Sequence, residues 1–335
     1  MVLVTGGTGL VGSHLLLHLM QNEVPTKAIY RSQETLAKVL KVFSYYSENA
    51  SVLFDKIEWI QGDILDIPSL EEAFKGVTQV FHCAAYISFD PSDFNKLEKI
   101  NKEGTANIVN LCIDNNIQKL CYVSTIGAIG KNVDQKKVDE ESAWSFQNTN
   151  PYAITKYLAE MEVWRGAQEG LSMVIINPGV ILGPGFWDTG SGTFFKTAAK
   201  DYNYYPPGGS GFISVTDVVT IMTELMESDI EGERYITIAE NLSYKEALQT
   251  IAVSMDKKAP QKMLKIWQLQ VFRFFDWMKN VLLGGGRTVT KNTLYGLKNP
   301  VLFNSDKVKE ALDFEFEPIH KTIEFCSNIF IKDSN

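Results

Sequence analysis

The chain opens on an apolar triplet, Val2-Leu3-Val4, and then passes four glycines within seven residues, Gly6, Gly7, Gly9 and Gly12. Apolar residues follow at Val11, Leu15, Leu16 and Leu19. The triplet fits a buried parallel strand, and the later spacing predicts a helix over 11–22. The same alternation continues. Strands are predicted at Thr26–Tyr30, Ile57–Gln61, Val77–Cys83, Leu120–Ser124 and Met173–Asn177. Helical stretches lie between them at about 33–46, at 69–74 with Gly76 as a stop, and at 94–115 with Gly104 inside. Asn150-Pro151 opens a further helix, Asn as N-cap and Pro in the first turn. Strands spaced by helices predict an α/β fold: a doubly wound parallel sheet with right-handed crossovers.

The pattern changes after Pro178. Gly179, Gly183, Pro184, Gly185, Gly190 and Gly192 make a loop-rich stretch, and Pro206-Pro207-Gly208-Gly209 another. Ile213–Val215 and Arg234–Ile238 read as strands returning toward the first lobe. The expected division is a Rossmann domain of 1–178 plus about 212–240. A smaller, discontinuous C-terminal substrate lobe would comprise about 179–211 and 241–335. Residues 264–283 carry Trp267, Phe272, Phe274, Phe275 and Trp277 among Lys265, Arg273 and Lys279. That segment fits a helix closing a substrate pocket, or one lying on a membrane surface.

Composition narrows the function. With 335 residues, 45% hydrophobic, the chain can bury a large core. A formal net charge of −8 and no basic run argue against a nucleic-acid partner. The four cysteines, Cys83, Cys112, Cys121 and Cys326, are scattered, as reduced buried thiols would be. A strand starting at Met1 or Val2 and the lack of a long uncharged apolar run lead to the expectation of a cytoplasmic protein without a signal peptide or membrane span.

The glycines suggest the first chemistry. Gly7, Gly9 and Gly12 fit G-x-G-x-x-G, and Gly6, Gly9 and Gly12 fit G-x-x-G-x-x-G. Either register lets backbone N–H groups at a helix start approach a pyrophosphate. Tyr152 and Lys156 stand four apart on a predicted helix, so they share a face at about 5–6 Å. An ammonium there would lower the phenol's pKa and let it exchange a proton with an alcohol or carbonyl oxygen. Ser124 and Thr125 end the fifth strand, where a hydroxyl can hold that oxygen or satisfy its own backbone. Asp63 ends the third strand and reads equally as an adenine contact or a turn residue.

These pieces carry a resemblance. Thr5–Gly12, Gly62-Asp63-Ile64, His82-Cys83-Ala84-Ala85, Val123-Ser124-Thr125, Tyr152-x-x-x-Lys156, Asn177-Pro178-Gly179 and Phe212–Val218 occur in the order of the extended short-chain dehydrogenase/reductases. The resemblance covers about the first 240 residues and is nearest to the dihydroflavonol reductase and aldehyde reductase branch. It implies Tyr152 as general acid/base, Lys156 on the nicotinamide ribose, and Thr125 over Ser124 as the hydroxyl, since Thr125 stands five before Gly130. His82 stands where the family often has asparagine, and reductase members commonly have His. Implied cofactor contacts are Gly6, Gly9, Leu10, Val11, Gly12, Arg31, Lys38, Asp63, Ile64, Ala84, Tyr152, Lys156, Pro178 and Val180. The resemblance also implies a homodimer through the helix after strand four and the Tyr-Lys helix.

Cofactor choice rests on Tyr30-Arg31-Ser32, 18 to 20 residues beyond Gly12, where no acid stands before Glu34. Arg31 suits a 2′-phosphate, and Lys38 resembles a second contact, so NADP(H) is expected over NAD(H). The expected activity is hydride transfer on a small, largely apolar carbonyl or alcohol. Aromatics such as Phe186, Trp187, Phe194, Tyr204, Tyr205 and Trp267 would wall its pocket or serve as core. The rivals are a nucleotide-sugar epimerase or dehydratase with retained NAD, and a non-catalytic nucleotide-sensing protein. His14 and His18 read as polar-face residues, not as a metal pair. Asp134, Asp139, Glu140 and Glu141 read as a solvated loop, and Gly284-Gly285-Gly286-Arg287 as a flexible connection.

Overall fold

The computed structural model describes residues 1–130, 137–283, 287 and 290–334. Asp134 and Gly284–Gly286 lie outside them. The chain runs β1 Val2–Thr5, α1 Leu10–Gln21, β2 Thr26–Tyr30, α2 Leu36–Ser44, α3 Ala50–Asp55, β3 Glu58–Gln61, α4 Ile67–Phe74 and β4 Gln79–His82. It continues with α5 Phe94–Leu97, α6 Gly104–Asp114, β5 Lys119–Val123, β6 Lys137–Val138, α7 Pro151–Gln168, β7 Met173–Pro178 and β8 Val180–Leu182. Then come α8 Gly192–Ala198, β9 Tyr204–Tyr205, β10 Gly209–Ser214, α9 Val215–Glu227, β11 Glu233–Thr237, β12 Glu240–Ser243 and α10 Tyr244–Ser254. The last are β13 Lys262–Met263, α11 Ile266–Leu283, α12 Lys291–Lys298, β14 Leu302–Phe303, α13 Asp306–Leu312 and α14 Ile319–Ser334.

Seven parallel strands form the main sheet in the order β11-β7-β5-β4-β1-β2-β3. β1, β5 and β7 are buried along their whole length, as their apolar runs require. Alternate residues feed two cores. Leu15, Leu16, Leu19, Val39 and Phe43 pack with Val218, Ile221, Met222 and Leu225 on one face. Leu70, Phe74, Ile108, Val109, Ala159 and Val163 pack on the other. The order reverses between β1 and β4, and ligands of such sheets sit in the crevice beyond that switch point.

A smaller layer completes the molecule. Within 212–240, Glu233–Thr237 adds to the main sheet. Gly209–Ser214 instead pairs with Val180–Leu182 and Glu240–Ser243 in a three-stranded sheet. α8, α10 and α14 pack on that sheet through Phe195, Phe212, Ile251, Ile323 and Phe330. The long helix predicted over 94–115 is continuous but widens to π turns at Glu98–Glu103. Gly104 follows because a Cβ there would lie 2.5 Å from Ile64 Cδ1. The pattern does not predict α3, whose six residues bury Ala50 fully and pack Leu53 and Phe54 only partly against the core.

Two polar assignments are corrected. His14 is not on a polar face: it is buried on α1, bonded through Nδ1 to Leu10 O at 2.7 Å and through Nε2 to Tyr46 Oη at 3.1 Å. Glu140 is not solvated: it is buried and accepts from Ile236 N at 2.7 Å, with burial raising its pKa. All four cysteines are unpaired thiols.

Burial moves the His14 pKa down from 6.5 to about 4. Between those values the unfolded chain binds the proton and the folded chain does not, so stability present above pH 6.5 is lost as pH falls toward 4. The expected loss from this group at pH 5 is about 2 kcal/mol. Urea unfolding at pH 7 and pH 5 should show the drop, reduced by that amount in His14→Gln.

Candidate functional site

The crevice is built from the crook between β1 and α1. Gly6 has φ +68°, and a Cβ on it would lie 2.6 Å from Ala84 N, just past β4. A Cβ on Gly12 would lie 2.2 Å from Gly6 O. Those two glycines are demanded by the fold itself. Gly9 is different: its φ is −96° and the nearest atom to an added Cβ is Gly6 O at 3.4 Å. It caps α1 with no side-chain hydrogen bond. The first N–H groups of a twelve-residue helix therefore stand free of a side-chain cap beside a bare backbone, the arrangement that receives a pyrophosphate. Of the two glycine registers, the strained positions are Gly6 and Gly12. The residues present fit a nicotinamide dinucleotide.

The remaining strand ends meet at this edge. Asn150 caps α7 through its side chain, accepting from Ala153 N at 2.8 Å, which fixes Tyr152 in the first turn. Phe89 packs edge-on against the Tyr152 ring at 6.0 Å. Burial pushes the Tyr152 phenol well above the usual range for tyrosine. This differs from the expectation that Lys156 draws it down. Lys156 Nζ instead donates to Tyr122 Oη at 2.5 Å and to Val123 O at 2.8 Å. The lysine is buried, and its pKa falls to about 7 because burial outweighs the attraction of Glu160.

Glu160, one turn further along α7, is fully buried. Its Oε1 accepts from Ser124 Oγ and from Asn177 Nδ2, each at 2.5 Å, and its Oε2 faces Arg234 Nη1 at 3.4 Å. Burial still raises its pKa. Ser124 is thereby turned into this network. Thr125 is only part-buried; its hydroxyl accepts from Gly127 N at 3.2 Å and keeps its own proton to give. Sequence reasoning missed Tyr122, Glu160 and Arg234. The spacing 152, 156, 160 on one helix face was the available signal for Glu160.

A second network ties the crook to α7. Thr5 Oγ1 lies 2.6 Å from His82 Nδ1, and His82 Nε2 lies 3.0 Å from Thr105 Oγ1. Thr105 gives its proton to Asn101 O, so it accepts from His82 Nε2–H, and His82 Nδ1 accepts from Thr5. Burial, and then the nearby Lys156, lower the His82 pKa to about 3, keeping it neutral. Asn101 Nδ2 donates onward to Thr155 Oγ1 at 3.1 Å.

The outer contacts are placed as follows. Leu10 and Val11 open α1, Ala84 lies against Gly6, and Pro178 ends β7 and Val180 starts β8, with Gly179 between them. Ile64 is buried against Gly104. One Asp63 oxygen accepts from Leu65 N at 2.9 Å, a turn contact, and the other lies 3.9 Å from Arg31 Nη1. Lys38 is exposed on α2, with Asp188 in its field. The expected aromatic wall does not assemble. Trp187 packs on Phe195 and Phe330, and Phe194 on Phe212 and Tyr244, all core of the second layer. Tyr204 and Trp267 are exposed.

A cavity of about 300 Å³ is lined by Gly127, two residues after Thr125, and by Ala153, the residue after Tyr152; Thr125 and Tyr152 themselves do not line it. Trp144, Tyr244, Tyr295, Val301 and Phe303 give it apolar walls, and Asn148, Asn150, Asn292 and Asn299 give it amides. No lysine or arginine is among its described lining residues. No group of described side chains could hold a metal, and no described helix is long and apolar enough to cross a membrane.

Residues 2–238 match the model of the NAD dependent epimerase/dehydratase family. A putative dihydroflavonol 4-reductase of Synechocystis is 29% identical over 318 residues, 92% of this chain and 88% of that one. Sterol demethylase protein B of Methylococcus capsulatus is 28% identical over 251 residues, 74% of this chain and 72% of that one. The crystal structure of gox2253 superposes with a TM-score of 0.81 at 26% identity, covering 99% and 98% of the two chains. UDP-glucose 4-epimerase of Thermotoga maritima shares the fold with a TM-score of 0.77 at 19% identity, covering 100% and 99%.

The expectation of NADP(H) is corrected to NAD(H). The matched family is described by NAD, and fold neighbours such as WbmG and WbmH of Bordetella bronchiseptica and the Thermus thermophilus UDP-glucose 4-epimerase are solved with NAD. The physical reason lies at Arg31. Its guanidinium, 72% exposed, leans toward the Asp63 carboxylate, so a 2′-phosphate would bring its charge against that acid, whereas a ribose diol would not. The Rossmann-type sheet, its smaller second layer and the family match together make this chain a member of the NAD dependent epimerase/dehydratase family, an oxidoreductase of the extended short-chain dehydrogenase/reductase type.

Proposed function

We propose that the protein uses NAD(H) to interconvert a carbonyl and an alcohol on a small, uncharged substrate. The observation that carries this reading is the cavity lined by Asn150 and Ala153, which flank Tyr152 in the first turn of α7; aromatics and amides wall it, with no cation among its described lining. When bound, the cofactor supplies or accepts the hydride. The protein's residues do the rest. Gly6, Gly9 and Gly12 with the start of α1 would take the pyrophosphate and Asp63 and Arg31 the adenosine end, while Lys156, bonded to Tyr122 Oη and Val123 O, has one ammonium proton left that would serve the nicotinamide ribose. Tyr152 is the acid. Its phenol, protonated at neutral pH as any tyrosine is, gives its proton to the substrate oxygen as the carbonyl is reduced. Thr125 orients that oxygen with its remaining hydroxyl proton. The names of the relatives, a dihydroflavonol reductase and a sterol demethylase component, support an apolar substrate.

The second reading has the family description and the epimerase fold neighbours behind it. The same residues would then serve a closed cycle in which NAD stays bound and a nucleotide-sugar is oxidised and re-reduced. Such a substrate needs cations for its diphosphate. Arg165 is engaged by Glu162, Glu169 and Asn110, and Arg234 by Glu160 and Glu140.

Three outcomes are expected. Tyr152→Phe should lower turnover of NADH with a responsive ketone or aldehyde by at least about 100-fold, with NADH affinity retained. Gly9→Ala should weaken NAD binding in titration while changing stability by less than about 1 kcal/mol, whereas Gly12→Ala should cost about 2 kcal/mol or more in urea unfolding. Protein purified without added cofactor should release little NAD(H) on acid denaturation. Stoichiometric NAD(H), together with activity on UDP-sugars, would replace the first reading by the second.

A further inference from the structure

α11 is turned inside out. Trp267, Val271, Phe274 and Phe275 recur at i, i+4, i+7 and i+8, so they share one face of the helix. That face meets solvent: Trp267 is 60% and Phe275 58% exposed. Leu269 is buried and Arg273 and Asp276 are half-buried, so the protein side of the helix holds two charged residues beside a leucine. Phe274 stands 5.9 Å from Phe275 and 6.0 Å from Trp277, ring to ring, which makes a continuous aromatic ridge. The ridge extends backward. β13 leads into α11 and pairs with β9, and Met263, Tyr204 and Tyr202 are all exposed there.

Positive charge is gathered around the same ridge. Residues 257–265, which lead into the ridge, hold Lys257, Lys258, Lys262 and Lys265 and no acid, in a chain of formal net charge −8. Lys257, Lys258, Lys262 and Lys265 are exposed. Lys200 adds another, its Nζ 6.0 Å from the Tyr202 ring.

We propose that this patch seats the protein on the surface of an anionic lipid bilayer. Aromatic and methionine side chains enter the boundary between headgroups and acyl chains, and surrounding lysines reach lipid phosphates. The overall acidity of the chain would repel such a surface, so the local reversal of charge has to supply the attraction. A second copy of the chain fits the patch less well. Across a two-fold contact each lysine cluster would face its own image. The proposal is independent of the catalytic reading, and its test uses no turnover.

The full chain is floated with vesicles of phosphatidylcholine alone or with roughly 30% phosphatidylserine, at low and high salt. Binding to the anionic vesicles is expected, weakened by salt, with a blue shift of tryptophan emission. The triple variant Trp267→Ser, Phe274→Ser, Phe275→Ser should reduce partitioning by at least about tenfold with unfolding and NAD affinity unchanged. No flotation with either vesicle overturns the proposal. So does flotation equal in the triple variant, or a dimer that the triple variant dissociates without loss of flotation.

Discussion

The site depends on two opposite charges buried one turn apart on α7. Lys156 is held by Tyr122 Oη and Val123 O of β5, and Glu160 by Ser124, Asn177 and Arg234. Those partners come from β5, from just beyond it, and from β7 and β11. The helix is therefore locked to three strands of one half of the sheet, and Tyr152, one turn before the lysine, is carried to the edge where the strands end. Each charge is costly to bury alone. The two are tolerated because the Lys156 ammonium has two acceptors and the Glu160 carboxylate three donors, and because each weakens the other's penalty. The low pKa of Lys156 and the raised pKa of Glu160 record what desolvation still costs.

The crook at Gly6–Gly12 is the complementary half. Close approach of backbone to backbone at Gly6 and Gly12 brings α1 against the ends of β1 and β4, where the strand order reverses. The chain Thr5–His82–Thr105–Asn101–Thr155 joins this half to α7 through neutral, fully satisfied groups. A nucleotide at the crook and a proton donor on α7 are thus set against one another by hydrogen bonds rather than by loops.

The second layer tells a different story. Its aromatics were candidates for a pocket wall or for core; Trp187 and Phe194 pack on the core, and those of α11 stand in solvent. Apolar residues on one helix can serve a core, a ligand or an outside surface with the same spacing. Which use they have depends on where the helix is docked, and α11 follows a loop-rich stretch whose path local sequence does not set.

The alternating strands and helices of the first half, the glycine crook and the Tyr152–Lys156 spacing were legible in the sequence, because each follows from local backbone demands and from a period of two or 3.6 residues. The cap at Asn150 was legible for the same reason. The partners of those residues were not. That Lys156 turns to Tyr122, that Glu140 and His14 are buried, and that Asp63 meets Arg31 were decided by which strands become neighbours. Those contacts join residues tens of positions apart. The cofactor turned on such a contact: an arginine read by itself suggested a phosphate, and its carboxylate neighbour across β2 and β3 removed the reason for one.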